Sequence, residues 1–129
     1  MKKVEVVVAA ILSECGQRVF IAKRNTNAHQ GGLWEFPGGK KEAGESVVVA
    51  LCRELEEEIA IKVIASQRLI KLNHDYGDKL VELDVYKVTE FTGEPRGAEG
   101  QETRWVSLDE LKNFEFPAAN QAIIQALLL

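Results

Sequence analysis

The sequence predicts an α/β fold, with strands, one central helix, further strands and short helices following one another through residues 1–129. Three observations carry this. Short runs rich in valine and isoleucine stand on both sides of a single long stretch with helical periodicity. Clusters of Gly, Pro and Asn separate these runs, and no internal repeat or low-complexity linker divides the chain. A chain of 129 residues is the length of one domain, which buries roughly two-thirds of the surface its unfolded form exposes. Its 46% hydrophobic and 28% charged residues are ordinary for a globular protein and unlike a disordered one.

Val4 to Leu12 and Arg18 to Lys23 read as strands, and the turn-like Ser13 to Gln17 between them predicts a hairpin. Asn25 to Leu33 reads as a loop. Trp34-Glu35-Phe36 then runs into Pro37-Gly38-Gly39, where proline and paired glycines are expected to end any regular element and let the backbone approach a ligand. Ser46 is placed to cap a helix reaching about Glu58, with Val47, Val48, Leu51 and Leu55 at helical spacing. Lys62 to Leu72 and Lys79 to Phe91 predict strands around a turn at Asn73 to Asp78. Gly93 to Gly97 is a loop and Thr103 to Val106 a last strand. Ser107 and Glu110 have the spacing of a capping box for a short helix. Pro117 suits the first turn of a terminal helix carrying Ile123, Ile124, Leu127 and Leu128.

The net charge of −4, with acids crowded between Glu42 and Glu58, argues against stable nucleic-acid binding, while a small anion could still bind through a divalent cation. Cys15 and Cys52 have no metal-ligand spacing and read as reduced thiols of a cytoplasmic protein. Glu5 interrupts the apolar start, so residues 1–12 read as a strand and not a signal peptide, and no apolar run nears the roughly 20 residues that span a bilayer.

On the central helix Glu54, Glu57 and Glu58 stand at i, i+3 and i+4, which puts their carboxylates on one face at the edge of the apolar stripe. At an effective dielectric of about 20, like charges ~4 Å apart repel by ~4 kcal/mol. Arg53 offsets part of this, and a hard divalent cation would offset more. A solvated acidic face is the bland explanation for such a helix. Against it stand the Gly38-Gly39 turn and Glu45, which bring a backbone carbonyl and a further carboxylate towards the same place and suit a magnesium and phosphate site.

These residues resemble a known signature. Gly39, five residues, Glu45, seven residues, then Arg53-Glu54-Leu55-Glu56-Glu57-Glu58-Ile59-Ala60-Ile61 is similar to the Nudix box, in which every charged position matches and only Ala60 departs, from a glycine. That departure puts the helix exit in question, because glycine there usually supplies a left-handed cap. The resemblance implies a Nudix fold, a mixed β-sheet sandwiched between helices (α/β/α).

Phe36 to Lys40, Gly93-Glu94-Pro95, Glu99-Gly100-Gln101 and Phe116 to Asn120 look like segments of the MutT branch, whose members hydrolyse oxidised guanine nucleotides. By that similarity the Gly38 carbonyl and the carboxylates of Glu54, Glu57, Glu58 and Glu99 bind Mg2+, with Mn2+ as a substitute, and Glu45 and Arg53 orient them. Water would attack the β-phosphorus of a nucleoside triphosphate such as 8-oxo-dGTP, giving monophosphate and pyrophosphate, with Glu54 or Glu99 as general base. Arg24, His29, Phe36, Lys79 and Asn120 would contact the substrate. Asn120 is the candidate for reading the base edge, since an amide both donates and accepts hydrogen bonds. The bland alternatives are exposed cations for Arg24 and Lys79, a solvated histidine, a core Phe36, and an Asn120 that only caps a helix. The picture is of a monomeric, cytoplasmic enzyme acting on a small nucleotide, without a membrane or nucleic-acid partner. A Nudix enzyme for a pyrimidine or other triphosphate, and a noncatalytic lesion-binding module, are the competing readings.

Overall fold

A computed structural model of the chain describes residues 2–24 and 31–129. The first strand, β1 (Lys2–Ile11), is the centre of the fold. Its second half is apolar without alternation because it is covered on both faces. Val7, Ala9 and Ile11 enter one core, while Val8, Ala10 and then Leu12 enter the other.

Strands β2 (Arg18–Lys23), β3 (Trp34–Glu35), β4 (Gly38–Lys40), β5 (Lys62–Asp75), β6 (Lys79–Thr92) and β7 (Thr103–Ser107) form two sheets with α1 (Val47–Ile59) and α2 (Gln121–Leu127). The mixed four-stranded sheet has the order β4-β1-β6-β5, and the antiparallel three-stranded sheet β3-β2-β7. Residues of α1 belong to the core on one face of the mixed sheet and those of α2 to the core on the other, which is the predicted sandwich.

The expected hairpin between the first two strands does not form. Both edges of β1 are taken, by β6 in parallel and β4 antiparallel, so β2 is left to pair with β3 and β7. One bridge, Leu12 to Val19, is all that remains of the pairing. Gly38 and Gly39 likewise do not end regular structure, because they form β4 against Val7 and Val8. The turn after β5 is shorter than read from sequence: pairing continues as far as Asp75 opposite Leu80.

Helix α1 begins as expected. The Ser46 hydroxyl accepts from Val49 N–H at 3.2 Å, satisfying an otherwise orphaned donor. The buried stripe is Ala50, Leu51, Leu55 and Ile59, whereas Val48 faces water. Ala60 ends the helix in the left-handed region (φ 61°), and its N–H turns back to the carbonyls of Leu55 and Glu56. The left-handed exit is thus formed by alanine in place of glycine. Ala60→Gly is expected to stabilise the protein by about 1 kcal/mol or somewhat less, as relief of strain outweighs the extra freedom of the unfolded chain. Urea unfolding would check this, and an unchanged or lowered midpoint would contradict it.

The capping box expected at Ser107 is absent. Ser107 makes no side-chain cap bond, and Leu108–Asn113 is a 3-10 segment. A second 3-10 turn, Ala118–Asn120, follows Pro117 and leads into α2. Among the described residues no helix is long and apolar enough to cross a membrane.

Candidate functional site

The acidic face of α1 lies beside β4, and glycine is required there by proximity. A Cβ on Gly38 would lie 2.0 Å from the backbone oxygen of Val7, and one on Gly39 would lie 2.3 Å from Oε2 of Glu54. Gly38 therefore lets β4 pair closely with β1, and Gly39 lets the Glu54 carboxylate pack onto bare backbone. The two alanine variants should separate these roles. Gly38→Ala is expected to unfold the protein or cost more than about 2 kcal/mol, because the obstructing atom is backbone. Gly39→Ala should fold with a displaced Glu54 and weakened divalent-cation binding. Thermal melting together with Mn2+ titration would check the pair.

Arg53 organises the carboxylates above this strand. Its Nε and Nη2 donate to Glu45 at 2.6 and 2.9 Å, Nη2 also to the Lys40 carbonyl at 3.2 Å, and Nη1 to Glu54 at 2.9 Å and Glu57 at 3.5 Å. Those charge-assisted bonds, with the Glu42 backbone N–H, hold the Glu45 carboxyl at a pKa of about 2. Glu58 has the opposite environment. Burial is the main cause that pushes its carboxyl up to about 8; the Gly38 N–H, donating at 3.2 Å, opposes it, while the charges of Glu35, Glu99 and Glu54 add to the rise.

Glu58 lines a cleft of about 400 Å³ together with Glu99, Gln101, Glu35 and Arg24. Arg24 and Glu35 also line a second cleft of about 260 Å³, and they are joined by a 2.9 Å ion pair. The second cleft has an apolar floor from β1 and β6 and is rimmed by Phe36, Tyr76, Lys79, Pro117 and Asn120. Together the two have the volume and the few polar groups typical of a small-molecule site.

Most of the residues selected from sequence therefore meet at these clefts. Phe36 is at once core and lining: it is buried, and its ring stacks on Phe116 at 5.2 Å. Asn120 makes no side-chain cap bond at the start of α2, which removes the bland explanation for its presence. Lys79 Nζ lies 5.8 Å from the Tyr76 ring centroid. Glu57 stands further out, with its side chain 60% exposed. At Gly38 the N–H donates to Glu58 Oε2 at 3.2 Å. Among the described residues no three acidic, histidine or cysteine side chains converge on one point as they stand. His29 lies outside the described residues.

Sequence reasoning missed Glu35 and Tyr76. Glu35 lies on the two-residue β3, too short to show a periodicity, and only its pairing with Ala22 sets it beside Arg24. Tyr76 sits in a turn, where no periodicity points.

The NUDIX domain model matches residues 7–126. The chain belongs to the Nudix family. It is 39% identical over 127 residues to the 8-oxo-dGTP diphosphatase of Escherichia coli, covering 98% of each chain. It is 33% identical over 128 residues to the CTP pyrophosphohydrolase of Escherichia coli, covering 99% of this chain and 93% of that one. Among solved structures it superposes with a TM-score of 0.89 and 41% identity on a MutT chain from work on Aliivibrio salmonicida and Vibrio cholerae, covering 98% of both.

Proposed function

We propose that this Nudix protein is a divalent-cation-dependent 8-oxo-dGTP diphosphatase that removes oxidised guanine nucleotides from the nucleotide pool. The observation that carries the reading is the half-buried Glu58 carboxyl, which shares with Glu35 and Glu99 a cleft continuing past Arg24 to the amide and aromatic lining of Asn120 and Phe36. The full-length likeness to 8-oxo-dGTP diphosphatases supports it.

The donor set fits a hard cation. A half-enclosed carboxyl with one N–H donor, in a cleft it shares with Glu35 and Glu99, presents surplus oxygen ligands. Glu54, Glu57, Glu58, Glu99 and the Gly38 carbonyl would hold Mg2+, or Mn2+ in its place, which when bound polarises phosphoryl oxygens and lowers the pKa of water. Arg53, braced by Glu45, is a positioning residue that holds the Glu54 carboxylate against Gly39. Arg24 neutralises phosphate charge where the two clefts meet, and Lys79 adds a second cation at the base cleft. Glu54 or Glu99 takes the proton of the attacking water. The water oxygen joins the β-phosphorus, and nucleoside monophosphate departs from pyrophosphate.

Asn120 supplies the discrimination. Oxidation at C8 converts N7 of guanine from acceptor to donor, so an amide oxygen placed opposite it is satisfied by the oxidised base and left unpaired by the ordinary one. The likeness to a CTP pyrophosphohydrolase favours a second reading, hydrolysis of a pyrimidine triphosphate in the same cleft. Pyrophosphate release from oxidised and unmodified triphosphates, with Mg2+ and with chelator, tests both. A strong preference for 8-oxo-dGTP that chelation abolishes is expected. Preference for a pyrimidine would overturn the substrate, and no turnover of any triphosphate would overturn the enzyme.

A further inference from the structure

The segment after β6 closes over the C-terminal end of α1. Arg96 N–H donates to the Ile59 carbonyl at 3.1 Å and Ala98 N–H to the Glu58 carbonyl at 3.0 Å, supplying partners for carbonyls that a helix end leaves open. Gln101 adds the side chain that joins the two segments. Its Nε2 donates to the Glu58 carbonyl at 3.1 Å, and its Oε1 accepts from Glu99 N–H at 3.0 Å. A rigid amide plane thus spans the backbones of the two residues whose carboxylates share the larger cleft.

The surrounding chain is shaped to this side chain. A Cβ on Gly97 would lie 2.1 Å from the backbone oxygen of Gln101 and 3.1 Å from its Oε1. Gly100, at φ 85°, reverses the chain between Glu99 and Gln101, and its N–H closes the turn on the Gly97 carbonyl at 3.0 Å.

We propose that Gln101 is a positioning residue which sets the separation of Glu99 from Glu58, so that the cation meets both carboxylates already arranged. The inference rests on the metal role given to these two glutamates above. Without the amide, Glu99 would begin from a backbone held only by its neighbours, and the ordering of that loop would fall on each binding event.

Mn2+ titration followed by electron paramagnetic resonance, on wild type, Gln101→Leu, Glu99→Gln and the double variant, tests this. Each single variant is expected to bind Mn2+ about tenfold more weakly or worse, as for other residues that orient metal ligands. The double variant should bind no more weakly than Glu99→Gln alone, because Gln101 acts through Glu99. Amide exchange should rise at Glu99 in Gln101→Leu while the last turn of α1 keeps its protection. If Gln101→Leu does not fold, Gln101→Met, of similar length and without either hydrogen-bonding group, replaces it.

Additive losses in the double variant, with faster exchange along the end of α1, would reduce Gln101 to a helix cap and overturn the proposal. So would a Gln101→Leu protein that binds Mn2+ as wild type does. Failure of the wider reading looks different: a wild-type protein that takes up no Mn2+, or an unaffected Glu99→Gln, removes the metal role and the proposal with it.

Discussion

Glu58→Gln is expected to lower kcat on 8-oxo-dGTP by at least about 10³-fold, because losing one carboxylate ligand removes several kcal/mol of charge stabilisation in the transition state. Glutamine keeps an oxygen for the Gly38 N–H, so the helix and β4 should stay docked. The same change should make the metal-free protein more stable at alkaline pH. In the folded chain burial holds the Glu58 carboxyl at about 8, against 4.5 for the ordinary group. Between these values the folded state binds more protons than the unfolded one, so this residue's contribution falls as pH rises. The penalty is absent below about 4.5 and complete above about 8, where it amounts to at most about 5 kcal/mol. Urea unfolding in chelator at several pH values, beside steady-state kinetics with Mg2+, would read both effects. A variant retaining kcat within tenfold, or as pH-sensitive in stability as wild type, would refute the assignment.

Asn120→Ala should produce the largest change in selectivity. The amide is unspent on local backbone and faces a cleft whose floor is Val6, Val8, Val81 and Leu83, where a lost hydrogen bond is not replaced cheaply by water. We expect kcat/KM for 8-oxo-dGTP to fall by on the order of 10³, while that for dGTP changes by less than about tenfold. The two substrates would then be handled nearly alike. Parallel losses on both would mean that Asn120 supports the cleft wall and does not read the base.

The parts of the site legible in the sequence were those within one helix or one short segment. Glu54, Glu57 and Glu58 share a face by helical geometry alone, and the Ser46 cap follows from a hydroxyl preceding an apolar helical stripe. Assembly across elements was legible through the resemblance and not through periodicity. Glu99 lies far along the chain from Glu58, and only the loop's attachment to the end of α1 brings them to one cleft. The contrast between Glu45, just ahead of α1, and Glu58 near its end was also beyond sequence. Glu45 and Glu58 are chemically identical, yet Arg53 draws one carboxyl down to about 2 while burial drives the other up to about 8.

The same division runs through the fold. The sequence by itself determined where β2 begins and ends and where α1 starts, because each follows from local propensity or the spacing of apolar side chains. Only the tertiary structure decided which strands pair. Pairing is a competition among edges, and β6 and β4 took both edges of β1, sending β2 into a second sheet and making a strand of Gly38 and Gly39. Backbone hydrogen bonds carry no residue code, so nothing in Ser13 to Gln17 could announce that the turn joins two sheets and not one hairpin.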